Sequence, residues 1–319
     1  MKITQENVHK KSKKILVITG PTATGKTGVA VDVALKLNPN GEVVYADSAA
    51  VYRNLNIGTA KPTADEMRGV PHHLIDVCNV DDNFDAEQYS KMAGEVVNNI
   101  LQDGKIPIVT GGTGLYIKAL IHGLFSIPSD SGKTKNQILK ELDEKGLDHI
   151  FAQLKTVDPK SAETINKNDR SRIIRALEIC RLTGKSAAKI KEEHSFKDSV
   201  FNPIYIGLAM ERVKLHERIN SRVDEMINSG IIDEVKGLLE SGYSPACRSL
   251  NTIGYKEIAS FINGEIDRET AIHLIKRNTR RLAKRQMTWF KKVEGIHWFQ
   301  YPYDISKIIE KSKTDLHLK

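Results

Sequence analysis

Eight consecutive residues, Gly20-Pro21-Thr22-Ala23-Thr24-Gly25-Lys26-Thr27, carry the most specific chemistry in the chain. Their spacing fits G-x-x-x-x-G-K-[ST], in which backbone N–H groups wrap a phosphate at the start of a helix. Lys26 adds a mobile cation. The Thr27 hydroxyl is a ligand that Mg²⁺ accepts beside substrate phosphates. A di- or triphosphate, held with Mg²⁺, is the expected ligand. Asp47 directly follows the apolar run Val43-Val44-Tyr45-Ala46. A carboxylate there can act as general base toward a substrate proton. Asp-Ser is also a good capping sequence, and the residues alone leave both readings open.

Gly111-Gly112-Thr113-Gly114 is a second flexible backbone element. Its N–H groups and the Thr113 hydroxyl can meet an anionic group or a nucleotide. A plain tight turn before a helix at Leu115–Ile121 is the competing expectation. Enzymes that hydrolyse nucleotides on such a loop usually hold Mg²⁺ with an aspartate at the end of a second strand. Here Ile106-Pro107-Ile108-Val109 ends in Thr110-Gly111, with no carboxylate. That favours a pyrophosphate that departs over a γ-phosphate that moves. His72-His73 lacks a third ligand at useful spacing, so it is expected in a loop and no metal is assigned there.

Cations crowd the last long helical pattern, about Asp267 to Lys292: Lys276, Arg277, Arg280, Arg281, Lys284, Arg285, Lys291 and Lys292. Ile272, Ile275, Thr279, Leu282, Gln286 and Trp289 recur at helical steps and are expected to face inward. Arg277, Arg281 and Lys284 then form a ridge that can track phosphates. Gln286 is a polar residue on the inward stripe, pointing toward a site. Asp169 caps a further helix whose Arg172 and Arg175 can reach one surface. The net charge of +8 and pI near 9.2 agree with a polyanionic partner.

These residues need a frame that gathers them. Ile15–Thr19, Glu42–Ala46, Ile106–Thr110 and Ile204–Ala209 read as buried parallel strands, with His297-Trp298-Phe299 as a late edge strand. Helical patterns between them argue for a doubly wound α/β sheet of the P-loop NTPase type, whose ligands bind beyond the carboxyl ends of the strands. The lysine-rich stretch from Leu124 to Phe201 breaks the rhythm and reads as a helical insertion. The expected division is a mobile tail at 1–12, a core of 13–123 with 202–300, an insertion at 124–201 and a C-terminal tail at 301–319. No apolar run is long enough to span a bilayer. Met1 to Lys14 is polar, unlike a secretory signal. Cys78, Cys180 and Cys247 are scattered, which fits a reducing, cytoplasmic setting.

Taken in order, the motifs resemble those of the tRNA dimethylallyltransferases, also called tRNA isopentenyltransferases. The matching stretches are Gly20 to Thr27, Asp47-Ser48 with Val51-Tyr52, Ile57 to Pro62, Pro71 to Asp76 and Gly111 to Tyr116. They continue through Arg172 to Glu178, Ile253 to Glu257 and Arg281 to Phe290. The resemblance implies transfer of a dimethylallyl group from dimethylallyl diphosphate to an adenine amine just 3′ of a tRNA anticodon. It implies that Gly20, Pro21, Thr22, Ala23, Thr24, Gly25, Lys26 and Thr27 hold the donor diphosphate with Mg²⁺. Asp47 would be the general base, Thr113 a catalytic tRNA contact, and Arg222, with Arg218 second, an anchor for diphosphate. The implied tRNA contacts are Asp47, Ser48, Ala49, Ala50, Thr113, Ser171, Arg172, Ile173, Ile174, Arg175, Arg281, Arg285 and Gln286. Ala50 replaces a glutamine common in the family. Ser131, Gly132 and Lys133 stand where an arginine is frequent, so no contact is assigned there. The lack of a zinc-finger extension implies the bacterial type, and a monomer is expected. The rival readings are a P-loop kinase and a non-catalytic RNA-binding protein.

Overall fold

The structure is a computed structural model that describes residues 13–125, 131–194 and 199–318. The expected tail at 1–12 lies outside the described residues. Contacts divide the chain into two units, Met1–Ile121 with Val200–Lys319, and His122–Ser199.

The first unit is built on six strands: β1 (Lys14–Thr19), β2 (Gly41–Tyr45), β3 (His72–His73), β4 (Ile106–Gly111), β5 (Asn202–Ala209) and β6 (His297–Gln300). Their order is β3-β2-β4-β1-β5-β6 and every pairing is parallel. A parallel sheet is covered on both faces, so its central strands are largely apolar. Ile15, Leu16, Val17 and Ile18 are all 0% exposed. The doubly wound sheet is the expected one. His72 and His73, expected in a loop, instead pair with Val43 and Val44 as the edge strand. Two residues are too few for a periodicity to reveal.

Four helices follow in the N-terminal half: α1 (Lys26–Lys36), α2 (Ala64–Met67), α3 (Ala86–Gln102) and α4 (Gly114–His122). Val29, Ala30, Val33 and Ala34 of α1 pack with Leu16, Ile18, Val43, Tyr45 and Ile108 on one face of the sheet. Helix α3 packs against β2 and β4. It starts at a capping box, in which the Asp85 side chain accepts from Gln88 N and the Gln88 side chain accepts from Asp85 N.

The second unit is helical: α5 (Ser131–Val157, kinked at Gly146), α6 (Pro159–Thr164), α7 (Arg170–Thr183) and α8 (Ala187–His194). Its core gathers Ile138, Ile150, Leu154, Ile173 and Leu177. Asp158 is buried at its centre and accepts bonds from Ser161 N, Ser186 Oγ and Ala188 N. Burial pushes its carboxyl up, but these hydrogen bonds outweigh it and leave the group below its usual range. Residues 126–130, within the stretch expected as the insertion, lie outside the described residues.

The chain returns to the sheet through β5. Helices α9 (Arg212–Asn228), α10 (Ile231–Glu240), α11 (Tyr255–Ile262), α12 (Arg268–Phe290) and α13 (Ile305–Leu316) complete the first unit. Residues 301–319, expected as a tail, instead carry α13. Its Ile308 is fully buried against the α1 face of the sheet, while its backbone at Asp315 accepts from Lys14 Nζ at 2.7 Å. The Asp304 cap and the spacing Ile305, Ile308, Ile309, Ser312, Leu316 suffice to make it a folded helix. The inward stripe of α12 is also shifted. Ala271, Ile275, Ala283 and Phe290 are its buried residues, while Trp289 remains 40% exposed. Among the described residues no helix is long and apolar enough to cross a membrane.

Candidate active site

The phosphate-binding loop joins β1 to α1 at the carboxyl end of the sheet. Gly25, at the N-cap of α1, has φ 85°, a left-handed conformation that glycine adopts without a Cβ penalty. Lys26 Nζ donates to Pro21 O at 2.8 Å, and Thr24 Oγ donates to the same carbonyl at 2.8 Å. The loop is thus pre-shaped by its own side chains. Helix α9 adds two arginines. Arg222 Nη1 reaches the Thr22 hydroxyl at 3.5 Å, and Arg218 Nε donates to Ala23 O at 3.1 Å. Both candidates for the anchoring arginine therefore face the loop.

A cavity of about 100 Å³ lies against this loop, lined among others by Lys26, Thr27, Tyr45, Asp47, Thr59 and Arg222. A wider groove of about 880 Å³ opens beside it, sharing Ala23, Thr27, Ala60 and Arg222 and adding Met226, Glu66 and Glu225. Three groups on the small cavity are electrostatically perturbed. Burial brings Lys26 down to about 8, attraction to Asp47 opposes this, and repulsion from Arg222 adds to it. Burial also lowers Arg222 from its usual value, though a guanidinium stays charged. The Tyr45 phenol is pushed up to about 12, chiefly by burial. Its hydroxyl lies 2.6 Å from Thr27 Oγ.

The two carboxylate oxygens of Asp47 differ in their surroundings. Oδ1 accepts from Ala49 N at 2.8 Å and Ala50 N at 3.2 Å, so it caps the turn that follows β2. Oδ2 takes no hydrogen bond among the described residues, and Asp47 lines the cavity. The turn is held from β4. Thr113 N donates to Ala46 O at 3.1 Å, and Thr113 Oγ accepts from Ser48 N at 3.0 Å. Ser48 is exposed beside it. Ala50, expected at the RNA surface, has its side chain in the hydrophobic core. The turn itself carries this methyl group into the core, where it is 1% exposed.

Gln286 of α12 joins the two glycine loops. Its Oε1 accepts from Thr22 N at 2.8 Å and its Nε2 donates to Gly112 O at 3.0 Å. A Cβ on Gly112 would stand 2.1 Å from that nitrogen, so the close approach requires glycine there. The polar residue on the expected inward stripe therefore serves the site by bracing it, not by reaching outward. Arg281, Lys284 and Arg285 are exposed, with no acidic partner among the described residues. Lys276, outside the expected ridge of Arg277, Arg281 and Lys284, is bound to Asp224 at 2.6 Å.

Sequence reading missed two further residues. Glu234 of α10 accepts from Asn56 N at 3.0 Å and Ile57 N at 2.9 Å, and from Tyr255 Oη at 2.5 Å. It clamps the segment whose Thr59 and Ala60 wall the cavity. Nothing in linear spacing connects positions 56 and 234. Tyr45 ends β2 and lines the same cavity as Asp47 two residues on, a neighbourhood to which its place beside that carboxylate in the sequence was the available signal.

In the helical unit the expected RNA-contacting stretch is divided. Ser171, Arg172 and Arg175 are exposed, but Ile173 and Ile174 are core residues and present no side chain to a partner. Arg172 pairs with Asp169, and Arg175 with Glu178 at 2.8 Å. The Arg172 pair is solvent-exposed and worth roughly 0–1 kcal/mol, so Arg172 can exchange its partner for a phosphate, whereas Glu178 is buried and would be left an unpaired charge if Arg175 turned away.

Comparisons with known proteins agree with this geometry. The family model described as IPP transferase matches residues 50–293. The chain is 45% identical over 296 residues to tRNA dimethylallyltransferase 1 of Pelobacter propionicus, covering 93% of this chain and 95% of the relative. It is 43% identical to the tRNA dimethylallyltransferase of Geobacter sulfurreducens, covering 92% and 94%. The crystal structure of the tRNA isopentenylpyrophosphate transferase from Bacillus halodurans superposes with a TM-score of 0.69 at 40% identity, covering 96% of this chain and all of that one. A eukaryotic dimethylallyltransferase acting on tRNA superposes with a TM-score of 0.79 at 29% identity, covering 96% and 78%. A family model over residues 50–293 and relatives 43–45% identical over more than nine-tenths of the chain place it in the tRNA dimethylallyltransferase family.

Proposed function

We propose that the chain transfers the dimethylallyl group of dimethylallyl diphosphate to the N6 amine of the adenosine just 3′ of the anticodon, in tRNAs reading codons that begin with U. The products are N6-isopentenyladenosine and diphosphate. The observation that carries this reading is the convergence of Lys26, Thr27, Asp47 and Arg222 on one cavity of about 100 Å³. That volume suits a diphosphate head group.

An aromatic amine is a weak nucleophile and a very weak acid, so its proton leaves as the C–N bond forms. N6 attacks the allylic carbon, the C–O bond breaks, and the bonding pair departs on the diphosphate. Lys26, Arg222 and the loop N–H groups stabilise the negative charge that develops there. Asp47 Oδ2 receives the amine proton. Gln286 and Thr113 hold the loop and the Asp47 turn in register. A stacked base cannot enter such a cavity, so the adenosine is extruded from the anticodon loop. Arg281 and Arg285, with Ser171, Arg172 and Arg175 in the helical unit, supply contacts to the RNA backbone.

The residues fit a bound Mg²⁺. Thr27 Oγ keeps a lone pair beyond its bond to Tyr45, and Mg²⁺ typically takes few protein ligands together with phosphate oxygens and water. When bound, the ion supplies charge neutralisation to the departing diphosphate. The proposed setting is a cytoplasmic monomer.

The test is incubation with dimethylallyl diphosphate, ATP, Mg²⁺ and unmodified tRNA, followed by nucleotide analysis, digestion to nucleosides and mass analysis. Prenylated adenosine is expected. ADP formed from ATP with no prenylated nucleoside would replace this reading by a kinase.

A further inference from the structure

Tyr45 lines the cavity, yet the reaction above gives it no role. It ends β2, opposite Thr110 of β4, and only 7% of it is exposed. Its ring packs tilted against His72 at 6.0 Å and its hydroxyl reaches the cavity beside Lys26, Asp47 and Arg222. There it meets Thr27 Oγ at 2.6 Å. We propose that the Tyr45 phenol is a further ligand of the donor diphosphate, donating a hydrogen bond to it whenever Thr27 is engaged by a metal ion. This rests on the reading of the cavity as the donor site.

The argument is a count of protons. Two hydroxyls 2.6 Å apart own two protons and share one hydrogen bond. One proton is therefore left to point into the cavity. With no cation present, either hydroxyl can supply it. When Thr27 directs a lone pair at a cation, repulsion turns its own proton away, onto the phenol oxygen. Tyr45 must then direct its proton outward, toward whatever anion fills the cavity. An ordinary phenol keeps its proton at the neutral pH of the assay below. A phenylalanine keeps the ring, its packing on His72 and the strand pairing, and removes only that proton.

The arrangement predicts a loss that depends on the metal. Inorganic pyrophosphate is titrated at pH 7.5 into the full chain and into Tyr45→Phe, once with Mg²⁺ and once with a chelator. With Mg²⁺ the variant should bind about 10-fold more weakly, the scale of one hydrogen bond to a charged acceptor. With chelator the two should agree within about twofold, because Thr27 then still offers its proton. The ligand-free melting temperature should be unchanged. Equal loss in both conditions, no loss with Mg²⁺, or a loss that accompanies a lower ligand-free melting temperature would each overturn the proposal. Lys26→Met serves as the separate control. If it binds pyrophosphate as well as the parent, the assignment of the cavity to the donor fails, whatever Tyr45 does.

Discussion

Donor affinity should depend on pH through Lys26, and the dependence can be worked from the structure. The Lys26 ammonium faces Arg222 and Tyr45 as well as the attractive Asp47, and burial brings it down to about 8. A bound diphosphate adds negative charge beside it and restores the protonated form. Binding must therefore take up a proton wherever the ligand-free site has lost it. Below about pH 8 the ligand-free site is already charged, and affinity should be flat. Above about pH 8 each further unit should weaken binding about tenfold, so pH 10 should bind about a hundredfold more weakly than pH 8. The Tyr45 phenol, pushed up to about 12, does not titrate in this window. A second consequence has its sign set the same way. The unfolded chain, with Lys26 near its ordinary 10.5, binds the extra proton between pH 8 and 10.5, so this residue makes the ligand-free protein more stable as pH rises there. The assay is calorimetric titration with a saturated alkyl diphosphate, which binds without reacting and whose phosphates finish ionising near pH ~6. Two buffers of different ionisation enthalpy count the protons. A flat affinity from pH 8 to 10, or the same inflection in Lys26→Arg, where the charge is permanent, would refute the reasoning.

Asp47→Asn retains the Oδ1 cap of the turn and removes the base, so kcat should fall by about 10²–10⁴ with tRNA affinity little changed; a kcat within tenfold of the parent would remove Asp47 from the proton transfer. Glu234→Gln replaces an acceptor oxygen by an amide that faces donors from Ile57 and Tyr255, and should cost about 2–4 kcal/mol of stability in denaturant titration with a raised KM for the donor. An unfolding midpoint equal to the parent's would mean the clamp is ornamental. Changing Arg281 and Arg285 together to Ala should reduce the slope of log affinity for tRNA against log salt by about 0.7–0.9 for each phosphate no longer neutralised, and an unaltered slope would make that helix face plain surface.

The local chemistry is legible in linear order. A glycine loop must sit between a strand and a helix to cradle phosphate, so Gly20 to Thr27 announce the first strand–helix unit. Apolar runs such as Ile15–Thr19 and Ile106–Thr110 reveal strands because burial on both faces leaves no polar position. The cap at Asp169 lies where side-chain chemistry requires it. Helix α13 is equally legible from Asp304 and its isoleucine spacing, although its place at the chain end suggests a tail.

What tertiary structure alone decided is which groups meet. Residues 22, 112 and 286 are brought together by Gln286, whose two amide bonds require an approach that only a folded sheet and α12 create. Glu234 clamps Asn56 and Ile57 across the fold, and no periodicity encodes a contact of that separation. Helical phase decided that Ile173 and Ile174 are core while Arg172 and Arg175 are surface, and that Trp289 stays partly in solvent. Sequence spacing specifies direction within one element. Contact between elements depends on packing free energies summed over many residues, and those exist only once the chain has closed on itself.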